Sequence, residues 1–123
     1  MPFEMIWHEQ QPDGLWTRTV MVQVPEQINQ LLVDEAVHNV RNKNKGVDLC
    51  VPSFKRISQG VCAHTLHLGH YDKIASTESK IINTVGSQGY RCRGETREIY
   101  MNHPNMNLVE KWQTIVRVPI EQI

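Results

Sequence analysis

Between Leu15 and Val24 the chain alternates, with Trp16, Val20, Val22 and Val24 on one side and Thr17, Thr19 and Gln23 on the other. A period of two is strand spacing, because successive side chains point to opposite faces of a sheet. Pro25 closes the run. Ahead of it stands Gln10-Gln11-Pro12-Asp13-Gly14, a turn in which proline presets one dihedral and Asp-Gly tolerates positive φ. The apolar piece before that turn, Phe3 to Trp7, therefore reads as a partner strand, giving a hairpin of 3–9 against 15–24. The fold must build onto a hairpin with one strongly apolar face.

Two segments change to helical spacing. From Glu26 to Asn42 the residues Ile28, Leu31, Leu32, Ala36, Val37 and Val40 fall on one helical side, with Arg41, Lys43 and Lys45 near the negative C-terminal end. Pro25 suits the first turn and Gly46 the stop. The basic run 41–45 holds three charges without interleaved aromatics, which reads as a solvated helix end rather than a phosphate site. Ile74, Ile81, Ile82 and Val85 predict a second helix over 73–85, capped by Asp72. Strands are expected at Val61–Leu68, at Tyr90–Tyr100 as one extended run, and at Lys111–Val118, where Pro119 stops the ladder. The order β-β-α-β-α-β-β is an α+β pattern of mainly antiparallel sheet.

The Tyr90–Tyr100 stretch carries the most chemistry. Read as one strand, it puts Tyr90, Cys92, Thr96, Glu98 and Tyr100 on one side, and Arg91, Arg93, Glu95 and Arg97 on the other. If the first side faces inward, Glu98 is a partly desolvated acid with a phenol beside it, awaiting a partner or a ligand. The alternative is a solvated Glu on the outer face of an edge strand. His64, His67 and His70 are spaced by three, but residues three apart on a strand face opposite sides, so no metal site is expected.

At 123 residues and 40% hydrophobic content, one domain with one core is expected over 1–123. Thirteen basic residues against thirteen acidic ones leave none of the positive excess that nucleic acid requires. No apolar run approaches the roughly 20 residues of a membrane span. Met1-Pro2-Phe3-Glu4 has no signal-peptide character, and Cys50, Cys62 and Cys92 include no Cys-x-x-Cys pair. A cytoplasmic protein with reduced, partly buried thiols is expected, Cys92 among them, with no cofactor.

Three motifs then stand in order: His67-Leu68-Gly69-His70-Tyr71-Asp72; Arg97-Glu98-Ile99-Tyr100-Met101; and Lys111-Trp112-Gln113-Thr114-Ile115-Val116-Arg117-Val118-Pro119. They resemble the LHxGpYD, (H/R)EIYL and KxxTxxRxP motifs of the GyrI-like small-molecule-binding family. Glu4-Met5-Ile6-Trp7 is similar to that family's E-G-x-W strand, and Thr19-Val20-Met21-Val22 to the strand after it. His70 stands where the family usually has proline, which leaves the turn less rigid. The resemblance implies tandem strand–helix–strand–strand modules with a ligand cleft between them. On that pattern 1–24 is the hairpin of an incomplete first module, 25–46 a linking helix, and 47–123 a complete second module.

The resemblance further implies a multidrug- or effector-type domain that binds lipophilic, often cationic compounds. Glu98 is then the central acid, with Tyr100, Tyr71, Trp7, Glu4 and His67 lining the cleft. Glu4 and Trp7, three apart, share a face only if a bulge falls between them. The alternative is a hydrolase of the kind that opens cyclopropane-bearing toxins, with Glu98 as base and Tyr71 or Tyr100 as acid. A gyrase-type protein partner rests on the family name alone. No helix-turn-helix is seen, so a DNA-binding regulator is not expected. The apolar hairpin face needs a cover, either a second copy in a homodimer or helix 26–42 packed back onto it.

Overall fold

A computed structural model describes residues 2–123. Strands β1 (Phe3–Gln10) and β2 (Trp16–Val22) form the expected antiparallel hairpin, with Phe3 opposite Val22 and Trp7 opposite Arg18. The register slips only beyond Trp7, between Trp7 and Gln10. After helix α1 (Gln30–Lys43) come β3 (Cys62–Leu68), helix α2 (Ile74–Ser87), β4 (Tyr90–Cys92), β5 (Arg97–Tyr100) and β6 (Gln113–Gln122). The six strands make one antiparallel sheet in the order β2-β1-β5-β6-β3, and β4 pairs with the far end of β6. The architecture is α+β, and β3, α2, β5 and β6 follow the strand–helix–strand–strand order.

The chain divides into two compact units. Val24–Ser58 is one of them and contains α1. This helix starts four residues later than its periodicity predicts, because Asn29 caps it, its side chain accepting from the Leu32 N–H at 3.0 Å. Residues 25–28 instead close a turn from the Ile28 N–H to the Pro25 carbonyl.

The other unit holds the sheet and α2. Ile74, Ile81 and Val85 form one stripe of α2 and bury against Val116, Val118 and Ile120, which alternate along β6. Fully burying such a side chain stabilises the fold by about 1.5–3 kcal/mol. Helix α2 starts at Ile74 without a side-chain cap; Asp72, the predicted cap, lies within a short 3-10 turn, Tyr71–Lys73.

The run Tyr90–Tyr100 is not one strand. Residues 93–96 leave the ladder, and Tyr90–Cys92 pairs with Ile120–Gln122 while Arg97–Tyr100 pairs with Thr114–Arg117. The cause is Pro119, which has no N–H to give and does not end β6 as expected. Its carbonyl takes the Arg93 N–H at 3.0 Å, and its ring sits where a Cβ on Gly94 would meet it at 3.2 Å. Opposite Ile120 as Glu98 is opposite Val116, Cys92 still stands on the face of Glu98, though on a separate short strand. It is exposed, as is Cys50, and its thiol donates to the Gly94 carbonyl.

Candidate functional site

Register decides which side chains meet on the face of the sheet that carries α2. Residues directly opposite one another in a ladder point the same way. One row across that face reads Thr65, Val116, Glu98, Met5, Val20, and the next reads His67, Thr114, Tyr100, Phe3, Val22. Trp7, two residues beyond Met5, stands on the same face opposite Arg18. Glu98 thus lies on the inner side of a central strand, only 8% exposed, and the solvated-edge alternative does not hold.

Tyr100 donates its hydroxyl to the Glu98 Oε2 at 3.0 Å, with the Met5 sulfur 3.8 Å from the same hydroxyl. Burial pushes the Glu98 carboxyl above its usual range, against the pull of hydrogen bonds from Tyr100 and the Trp7 indole; the Glu78 carboxylate pushes the same way as burial. Burial and the Glu98 charge also raise both phenols, Tyr71 and Tyr100, so each stays a hydrogen-bond donor at neutral pH.

Aromatic rings wall this acid. Tyr71 meets Tyr100 edge-on at 5.3 Å and stacks on Trp112 at 4.8 Å, while His70 stacks on Trp112 at 5.3 Å. Trp7 meets Trp16 edge-on at 6.2 Å and lies under the Arg18 guanidinium at 5.5 Å. The structure therefore brings Glu98, Tyr100, Tyr71 and Trp7 together.

It does not bring Glu4 to them. With no bulge between Glu4 and Trp7, Glu4 points to the opposite face, where its carboxylate lies 3.7 Å from Arg97 Nη1. His67 is on the inner face but is already engaged: its Nδ1 meets the Thr77 hydroxyl at 2.6 Å and its Nε2 the His70 carbonyl at 3.0 Å. His64 points to the other face, opposite Arg117.

Two polar groups near the acid escaped the sequence reading. Glu78, four residues after Ile74 on α2, accepts from the Thr96 hydroxyl at 2.8 Å and bears on the Glu98 charge. Thr114 is fully buried between His67 and Tyr100, and its hydroxyl has no partner among the described residues. The signal for Thr114 was a hydroxyl on the apolar side of β6. A separate surface depression of about 540 Å³, lined by Trp7, His8, Glu9, Gln11, Thr17 and Glu95, shares only Trp7 with this group.

The family model of the GyrI-like small molecule binding domain matches residues 2–121, so this chain belongs to that family. Its fold is similar to an uncharacterized conserved protein from Listeria innocua, with a TM-score of 0.88 at 22% identity, covering 98% of this chain and 63% of that one. A hydrolase from Listeria innocua is also similar, with a TM-score of 0.83 at 23% identity, covering 98% of this chain and 62% of that one. The chain thus spans less than two thirds of the length of these structures. No curated protein sequence matches it. No helix among the described residues is long and apolar enough to cross a membrane.

Proposed function

We propose that the α2-side face of the sheet binds small lipophilic cations, with Glu98 as the charge partner and Tyr71, Tyr100 and Trp7 as aromatic walls, within one GyrI-like domain over residues 1–123. The observation that carries this reading is Glu98 itself: buried, raised, and without a cationic side chain paired to it among the described residues. A carboxylate held this way gains most from a cation that the water around it cannot replace. Each good ring contact adds roughly 0.5–2 kcal/mol for a cation and little for a neutral molecule.

A tryptophan-fluorescence titration with lipophilic cations and matched neutral analogues tests this. Binding of cations that falls about 10-fold or more in Glu98→Gln supports it, in line with a hydrogen bond to a charged group. Equal binding of cations and neutral analogues by both proteins refutes it.

The second reading is hydrolysis, with Glu98 as general base and Tyr71 or Tyr100 as proton donor. Its support is the raised carboxyl beside two protonated phenols, and the fact that two structural neighbours are described as hydrolases. Turnover of a strained-ring ester by wild type, abolished in Glu98→Gln, would favour it.

We also infer that a second copy covers the hairpin. Phe3, Trp16, Val20 and Val22 stay 61, 52, 54 and 45% exposed on the face that holds Glu98. The outer edge of β2 pairs with no strand among the described residues. Sedimentation should show a dimer that Val20→Lys dissociates; a wild-type monomer at micromolar concentration contradicts this. The free cysteines fit a reducing, cytoplasmic setting.

A further inference from the structure

We infer that His67 is a positioning residue: it sets the peptide that carries Tyr71 and so holds the Tyr71 ring against the acidic site. This rests on Tyr71 being a wall of the cation site proposed above.

A carbonyl only accepts, so the His67 Nε2 that lies 3.0 Å from the His70 oxygen carries the hydrogen and donates it. In the neutral ring the other nitrogen, Nδ1, then accepts the Thr77 hydroxyl hydrogen at 2.6 Å. The imidazole, 7% exposed, is thereby fixed in one tautomer and one orientation between the end of β3 and α2. The carbonyl it holds belongs to the peptide bond linking His70 to Tyr71. Fixing that plane limits ψ of His70 and φ of Tyr71, and with them the direction in which the Tyr71 side chain leaves the backbone.

The turn opens at Gly69, whose φ of +108° suits glycine alone. Its other ties include the Gly69 N–H on the Trp112 carbonyl, the Lys73 N–H on the His70 carbonyl at 3.3 Å, the Asp72 N–H on the His70 Nδ1 at 3.1 Å and the Ile74 N–H on the Tyr71 carbonyl. Of all these bonds only those from His67 and Lys73 fix the His70–Tyr71 peptide at its oxygen. Tyr71 then lands 4.8 Å from Trp112 and 5.3 Å from Tyr100, the phenol bonded to Glu98. With both nitrogens engaged, His67 has no hydrogen bond left for a ligand, so it acts through Tyr71 and does not touch what binds.

The test combines a ligand-free readout with a double-mutant cycle. In the ligand-free protein, His67→Leu should lose the Tyr71–Trp112 ring-to-ring NMR contacts, while His67→Gln, which keeps a donor near Nε2, retains them. With phenyltrimethylammonium as probe, His67→Leu and Tyr71→Leu should each weaken binding by about threefold to tenfold. The double variant should be no weaker than Tyr71→Leu alone. Should His67→Leu fail to fold, Thr77→Val leaves the imidazole in place and should show the same losses in smaller measure. Intact ring contacts in His67→Leu and Thr77→Val, or losses that simply add, would overturn the assignment. A wild type that binds no cation would defeat the cation reading, while the ring contacts would still decide the role of His67.

Discussion

Tyr100 and Glu98 leave the same face of β5 two residues apart, and the phenol donates to the carboxylate at 3.0 Å. That bond holds down a carboxyl that burial pushes up. Tyr100→Phe removes the donor, so the Glu98 carboxyl rises further. Cation binding needs the ionised form and therefore fails at a higher pH in the variant. Fluorescence titrations across pH should show the midpoint of lost binding displaced upward relative to wild type.

Glu98 costs stability at neutral pH. Its folded-state value lies above the ordinary 4.5, so the folded protein holds that proton more tightly than the unfolded chain. The stability it contributes is present below 4.5 and is lost as pH rises through the folded value. Glu98→Gln should therefore raise the thermal midpoint at pH 7 by on the order of 3 °C, as about 1 kcal/mol does in a small domain. Calorimetry should find the gain shrinking as pH falls toward 4.5.

Glu4 and Arg97 serve the opposite face. Glu4→Gln weakens a largely buried ion pair, and should lower stability by about 1–3 kcal/mol in urea unfolding. Cation affinity should stay within about twofold, because the pair shares no partner with Glu98. A large loss of affinity would place Glu4 in the site after all.

Val118 is fully buried where α2 meets β6. Val118→Ala deletes two methyl groups and leaves a cavity, costing about 2–3 kcal/mol. Urea unfolding should show a lower midpoint at unchanged slope.

Much of this was legible because the relevant signals are local. The alternation of 15–24 and the Pro-Asp-Gly turn specify the hairpin, and Ile74, Ile81 and Val85 specify α2. The spacing of Glu98 and Tyr100 already implied a shared face. The misses are non-local. Nothing within 90–100 reveals that its partner strand carries Pro119, whose missing N–H and bulky ring split the run in two. The start of α1 went to a capping asparagine over a hydrophobic period. Thr114 and Glu78 reach the acid only through the register of β6 and the seating of α2, and the engagement of His67 through a turn and a helix ten residues on.

The most direct measurement is the NMR titration of the Glu98 side-chain carbon, with and without saturating phenyltrimethylammonium. A cation that rests against the carboxylate binds its ionised form better, so saturation must pull the Glu98 value down, by about one unit for every tenfold preference. The account predicts a fall of about one unit or more, and none with neutral tert-butylbenzene. A Glu98 titration that does not move when the cation binds would contradict it.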